Sequence, residues 1–162
     1  MVVVADTSPV NYLVLIGQIE ILPRLYKRIL IPPAVLDELK HPLAPEPVRN
    51  WAAQPPGWLE VLTPIGRVDI AQLDLGESEA IALATEMHID VLLIDEQAGR
   101  QEAIRRGLKV AGTLSVLDEA DRAGWSISMP QPLACVRPAS GSRQRFSPRS
   151  EKDGLADRKG SE

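Results

Sequence analysis

The chain has 162 residues, 44% of them hydrophobic, which suits one domain with a single substantial core. No apolar run approaches the roughly eighteen residues of a membrane span, and the short apolar start meets Asp6 too soon for a signal peptide, so a cytoplasmic protein with no membrane partner is expected. One cysteine, Cys135, and two histidines, His41 and His88, exclude an internal disulfide and argue against cysteine- or histidine-rich zinc sites.

The net charge of −4 is unevenly spread. Residues 1–128 carry 11 basic against 18 acidic side chains, a balance of −7, whereas residues 129–162 carry 7 against 4, a balance of +3. An acidic body is a poor grip for nucleic acid held by its phosphates alone. It suits a protein whose acids are neutralised by metal ions or by a basic partner.

In chain order, Val2–Ala5 reads as a short buried strand ending on Asp6. Ser8 supplies an N-cap and Pro9 a first-turn proline for a helix over Pro9–Ile16, stopped near Gly17. Ile19–Tyr26 reads as a second short helix and Arg28–Ile31 as a strand ended by Pro32 and Pro33. A helix follows over Pro33–Lys40, then a proline-rich loop over His41–Pro47 and a helix over Pro47–Gln54. Trp58–Leu62 is the next strand. Ala80, Ile81, Leu83, Ala84 and Met87 recur at helical spacing within Gly76–Met87. Val91–Ile94 is an apolar strand ending on Asp95, Gln97–Arg106 a helix stopped by Gly107, Lys109–Ala111 a last strand and Thr113–Ala123 a last helix.

This alternation predicts an α/β fold: a three-layer sandwich whose central, mostly parallel sheet has helices on both faces. The expected domain is residues 1–128. Residues 129–162, rich in proline, glycine, serine and charge, are expected to form a poorly structured basic tail, disordered from about residue 137.

Four acids fall where such a fold would gather them. Asp6 and Asp95 each close an apolar strand, Glu77 opens the helix feeding the strand that ends in Asp95, and Glu38 lies on the helix after Pro32-Pro33. Singly, each could serve a helix dipole or a turn. Together, carboxylates crowded into a small volume repel and call for cations. Oxygen-only ligands favour Mg²⁺ or Mn²⁺ over zinc, and such ions suit phosphodiester hydrolysis.

At these residues the chain resembles the PIN-domain nucleases, in particular the VapC-type toxins of toxin–antitoxin pairs. The resemblance spans roughly residues 1–125. It rests on Val3-Val-Ala-Asp6-Thr-Ser8, Ile31-Pro-Pro-Ala-Val-Leu-Asp-Glu38-Leu, Leu75-Gly-Glu77-Ser-Glu-Ala-Ile-Ala-Leu-Ala84 and Leu92-Leu-Ile-Asp95-Glu96. Arg105-Arg-Gly-Leu-Lys-Val-Ala-Gly-Thr113 with Leu114-Ser-Val-Leu117 adds to it.

The resemblance implies a Mg²⁺- or Mn²⁺-dependent endoribonuclease that cleaves RNA, held in check by a small antitoxin protein, and homodimerisation. Asp6, Glu38, Glu77 and Asp95 take the places of the four catalytic, metal-binding acids, and Thr7 or Ser8 that of the hydroxyl that positions a ligand. Glu79 is the alternative to Glu77 at the third place; two residues apart on a helix, they cannot both face one site. Glu96 is a further supporting acid, while Asp37 points elsewhere. Arg100 either orients an acid or lies in solvent. His41 and His88 read as loop and surface residues, and Trp51, Trp58 and Trp125 as core or interface residues. The runner-up function is a catalytically weak PIN-like module that binds RNA or protein. A small-ester phosphatase lacks support because no Asp-x-Asp pair follows the first strand.

Overall fold

Short runs of β-branched and leucine residues too apolar to face water on either side form a parallel sheet, because helices must then cover both faces. In the computed structural model, which describes residues 1–66 and 70–125, these runs are β1 (Val2–Ala5), β2 (Arg28–Ile31), β3 (Leu59–Val61), β4 (Val91–Leu93) and β5 (Val110–Ala111). They form one sheet in the order β3-β2-β1-β4-β5, with every pairing parallel. The helices are α1 (Thr7–Leu15), α2 (Ile21–Leu25), α3 (Pro33–Lys40), α4 (Glu46–Ala53), α5 (Leu75–Glu86), α6 (Gln97–Arg105) and α7 (Thr113–Arg122). None of the described helices is long and apolar enough to cross a membrane.

The strands' two-residue period sorts the core into two layers. Val3, Ala5, Ile29, Ile31 and Leu93 pack with Val10 and Leu13 of α1, Leu22 of α2, Val35 and Leu39 of α3, Val48 of α4 and Val116 of α7. The alternate residues Val4, Leu30, Leu92 and Ile94 pack with Ala80, Ile81, Leu83 and Ala84 of α5 and Ala103 of α6. The result is the expected three-layer α/β sandwich, all-parallel among its described strands.

Several boundaries differ from the sequence reading. α1 begins at Thr7, because Asp6 rather than Ser8 occupies the extended N-cap position, with φ −82° and ψ 170°. α2 is shorter than Ile19–Tyr26. α4 begins at Glu46, with Pro47 in its first turn. α5 starts at Leu75 because Asp74 caps it: Glu77 N–H donates to Asp74 Oδ1 at 2.8 Å, and Asp74 N–H to Glu77 Oε2 at 3.3 Å. This reciprocal pair is a capping box. Gly107 and Gly124 do end their helices with positive φ, 80° and 76°. The expected tail, residues 129–162, lies outside the described residues.

β1 is the hinge of the topology. From it the chain first builds outward to β2 and β3, then crosses to β4 and β5 on the other side. The carboxyl ends of β1 and β4 therefore flank the switch point of an open α/β sheet, where such sheets leave a crevice for ligands.

Candidate active site

Asp6 follows β1 directly, and its N–H donates to the carbonyl of Leu93 at 2.9 Å, which ties it to the neighbouring strand. Its side chain takes the α5 side of the sheet edge and is only 2% exposed. Oδ1 is buried and has no hydrogen-bond partner. Burial raises its carboxyl pKa to about 7, with further upward pressure from Asp74 and Glu77; the Thr7 and Ser8 backbone amides act in the opposite direction. Ser8 thus meets Asp6 through its main chain.

Glu77, 5% exposed, is the third residue of α5. Its Oε2 serves the capping box, while the buried Oε1 has no partner. Burial raises its pKa, and the charges of Asp74, Glu96 and Glu38 add to this, against the Asp74 backbone bond. The carboxylate fits because Gly99 of α6 lacks a side chain; a Cβ there would lie 2.7 Å from Glu77 Oε1 and 2.4 Å from Ile94 Cδ1.

Glu38 reaches from α3 across to α5. Its Oε2 accepts from Thr7 Oγ1 and its Oε1 from the Gly76 N–H at 3.0 Å. Desolvation raises its pKa, and Asp74 and Glu79 push the same way. A Cβ on Gly76 would stand 2.6 Å from Oε1, so a glycine is required for this approach.

Asp95 is placed differently. It falls on the opposite parity from Ile94 and turns toward α7, where Oδ1 accepts from Thr113 N–H at 2.8 Å and Oδ2 from Thr113 Oγ1 at 2.5 Å. Glu96 is the exposed N-cap residue of α6. Arg100 donates to the Ile94 carbonyl at 2.8 Å, securing the end of β4. Glu79 is turned to α3, accepting from Ala34 N–H at 3.1 Å. Asp37 is exposed, as are His41 and His88. Trp51 packs at a tilt on Trp58, with 6.2 Å between ring centroids, and Arg24 lies over Trp125 at 3.8 Å.

The structure therefore brings Glu77 into electrostatic contact with both Asp6 and Glu38, and adds Asp74, which the sequence reading overlooked and which acts on all three. Its signal was present: Asp74-Leu-Gly-Glu77 is an N-cap acid followed three residues later by glutamate. Among the described residues, no three His, Cys, Asp or Glu side chains are arranged to hold a metal ion. The donor chemistry nevertheless fits a hard divalent cation, since the ligand atoms are all oxygens and two of them, Asp6 Oδ1 and Glu77 Oε1, are buried with unmet acceptor capacity. A cavity of about 320 Å³ lies between Ile70–Leu73 and α6, with Ala98, Gln101 and Arg105 in its wall; none of the four acids lines it.

An open, parallel α/β domain with buried acids at its switch point defines the class. The family model described as a PIN domain matches residues 2–134, and the chain belongs to that family, with its nuclease-like fold. No curated protein matches. Among solved structures, the chain is similar to a PilT N-terminus domain protein from the hyperthermophilic archaeon Sulfolobus solfataricus P2, at 14% identity and a TM-score of 0.54, over 74% of this chain and 93% of that one. At that identity the likeness concerns the fold.

Proposed function

We propose that residues 1–128 form a Mg²⁺- or Mn²⁺-dependent endoribonuclease that hydrolyses RNA phosphodiester bonds, and that the protein is the cytoplasmic toxin of a toxin–antitoxin pair. The observation that carries this reading is the convergence of Asp6, Glu38 and Glu77 at the switch point, with two buried carboxylate oxygens lacking any partner. A buried, unpaired carboxylate is costly and is retained where an ion or a reaction uses it. PIN-family membership supports nuclease chemistry in particular.

Asp6 and Glu77 would hold the cation through their free oxygens, Glu38 and Asp95 through lone pairs left beside their present hydrogen bonds. When bound, such an ion supplies positive charge to the phosphate and lowers the pKa of water. The chain's own part is electrostatic and positional. Burial keeps Asp6 and Glu77 poorly solvated, so that they favour a cation strongly. Thr7 orients Glu38 by donating its hydroxyl, and Thr113 holds Asp95 with two donors. An antitoxin and a second copy of the chain are the partners this reading carries with it.

The test is cleavage of single-stranded and structured RNA by purified protein with Mg²⁺ or Mn²⁺, with Asp6→Asn as control. No cleavage by the wild type, or cleavage that survives Asp6→Asn, sinks the reading. The second reading, a PIN-like module that binds RNA or protein without cutting, is favoured by the engagement of Glu38 and Asp95 with neighbouring donors. RNA binding unaffected by EDTA, with no divalent-ion uptake, would select it.

A further inference from the structure

Helices α3 and α5 exchange carboxylates. Every α-helix leaves its first N–H groups without an internal partner. α3 begins with prolines at the N-cap and first position, Pro32 and Pro33, so Ala34 at the second position carries its first N–H, and no proline side chain can accept from it. That N–H donates to Glu79 Oε2 of α5 at 3.1 Å. The second residue of α5 is Gly76, and its N–H donates to Glu38 Oε1 of α3 at 3.0 Å. Each helix thus satisfies the second amide of the other.

We propose that Glu79 is a positioning residue for Glu38, acting through this reciprocal clasp. Glu79 sets the position of the N-terminal turn of α3, the rest of that rigid helix carries Glu38, and Glu38 returns to the N-terminus of α5 beside Glu77. Glu79 is turned to α3, where its Oε2 is engaged by Ala34. Its positioning effect reaches the acidic site through α3, beside the direct push of its charge on Glu38. Mutation of outer-shell partners that orient metal ligands typically costs 10- to 100-fold in metal affinity. The metal arm of this proposal rests on the nuclease reading above; the clasp itself does not.

Two measurements test it on Glu79→Ala, Glu79→Gln and, as a control for general loss of stability, Ile21→Val at the buried start of α2. The first is amide hydrogen exchange in the metal-free full-length protein. Glu79→Ala should speed exchange about tenfold at Ala34, which loses its acceptor, and also at Gly76, which Glu79 does not touch. Glu79→Gln keeps an oxygen acceptor and should restore both. Acceleration confined to Ala34 would reduce Glu79 to a helix cap and overturn the proposal. So would equal acceleration at Gly76 in Ile21→Val.

The second measurement is Mn²⁺ affinity by calorimetry. It should fall about tenfold in Glu79→Ala, recover in Glu79→Gln and remain unchanged in Ile21→Val. Unchanged affinity in Glu79→Ala overturns the positioning role. If the wild type takes up no Mn²⁺, the nuclease reading fails while the exchange data still decide the clasp.

Discussion

Two acids with the same local signature meet opposite fates. Asp6 and Asp95 each end an apolar strand, and those strands are neighbours in the sheet. Asp95 has both oxygens occupied by Thr113 at the start of α7. Asp6 is buried with one oxygen orphaned and its pKa raised to about 7. The difference comes from parity. Strand residues alternate between faces, so Asp6 follows Val4 toward α5 and its acids, whereas Asp95 follows Leu93 toward α7 and its donors. Without a metal ion, one acid is satisfied by hydrogen bonds and the other keeps a buried oxygen without a partner.

The largest expected effect breaks this comparison most directly. The folded pKa of Asp6 lies above its ordinary value of 3.8, so between about pH 4 and 7 the folded state holds a proton that the unfolded state has lost. Without metal, stability should therefore be full below that window and decline as pH rises through it, by roughly 4 kcal/mol in total. Asp6→Asn should remove the Asp6 share of the decline and leave the part due to the raised Glu38 and Glu77 carboxyls. Urea midpoints measured across this pH range check both, and a wild-type profile that is flat or rises would show that Asp6 is not strained.

RNA cleavage should fall about 100-fold or more in Asp6→Asn while the fold is retained, read from initial rates at saturating Mn²⁺ alongside circular dichroism. Metal should also relieve the strain. At 100 times its dissociation constant, Mn²⁺ should stabilise the wild type by about 2.7 kcal/mol and Asp6→Asn by much less, seen as a shift in Tm that EDTA reverses. Equal shifts in the two proteins would place the ion elsewhere.

The smallest effect concerns the other acid and has the opposite sign. Asp95→Ala leaves the Thr113 N–H at the start of α7 without its acceptor, and should destabilise the metal-free protein by about 1–2 kcal/mol at neutral pH. Asp6→Asn should stabilise it under the same conditions. Equilibrium urea unfolding of the two variants side by side would sharpen the comparison, and destabilisation of equal size in both would remove it.

The layout of the fold was readable because buried parallel strands announce themselves as continuous apolar runs. Val2–Ala5 and Arg28–Ile31 match to the residue, and the other three strands are each one residue shorter at one or both ends than the sequence suggests. Helix starts are less visible where the cap is an acid. Asp6 occupies the N-cap of α1, and Asp74 opens α5. The capping box between Asp74 and Glu77 is nonetheless a local property of the sequence, an N-cap acid followed three residues later by glutamate.

The candidate site divides in the same way. That Glu77 and Glu79 face different ways follows from helical geometry alone, but not which of them faces Asp6. The packing of α5 against α3 decides it: Glu79 meets the N-terminus of α3, and Glu77 turns inward against Gly99. Arg100 was expected on an acid or in solvent and is found on the Ile94 carbonyl, because the strand end needs a donor there.

By itself the sequence determined the alternation of strands and helices, the parallel sheet and the acids at its carboxyl edge, because hydrophobic period and helix-ending residues are local. Only the tertiary structure decided which carboxylates are buried without partners and which are occupied. That outcome depends on the strand order and on helices far apart in the chain, which bring donors to Asp95 and Glu38 and withhold them from one oxygen each of Asp6 and Glu77.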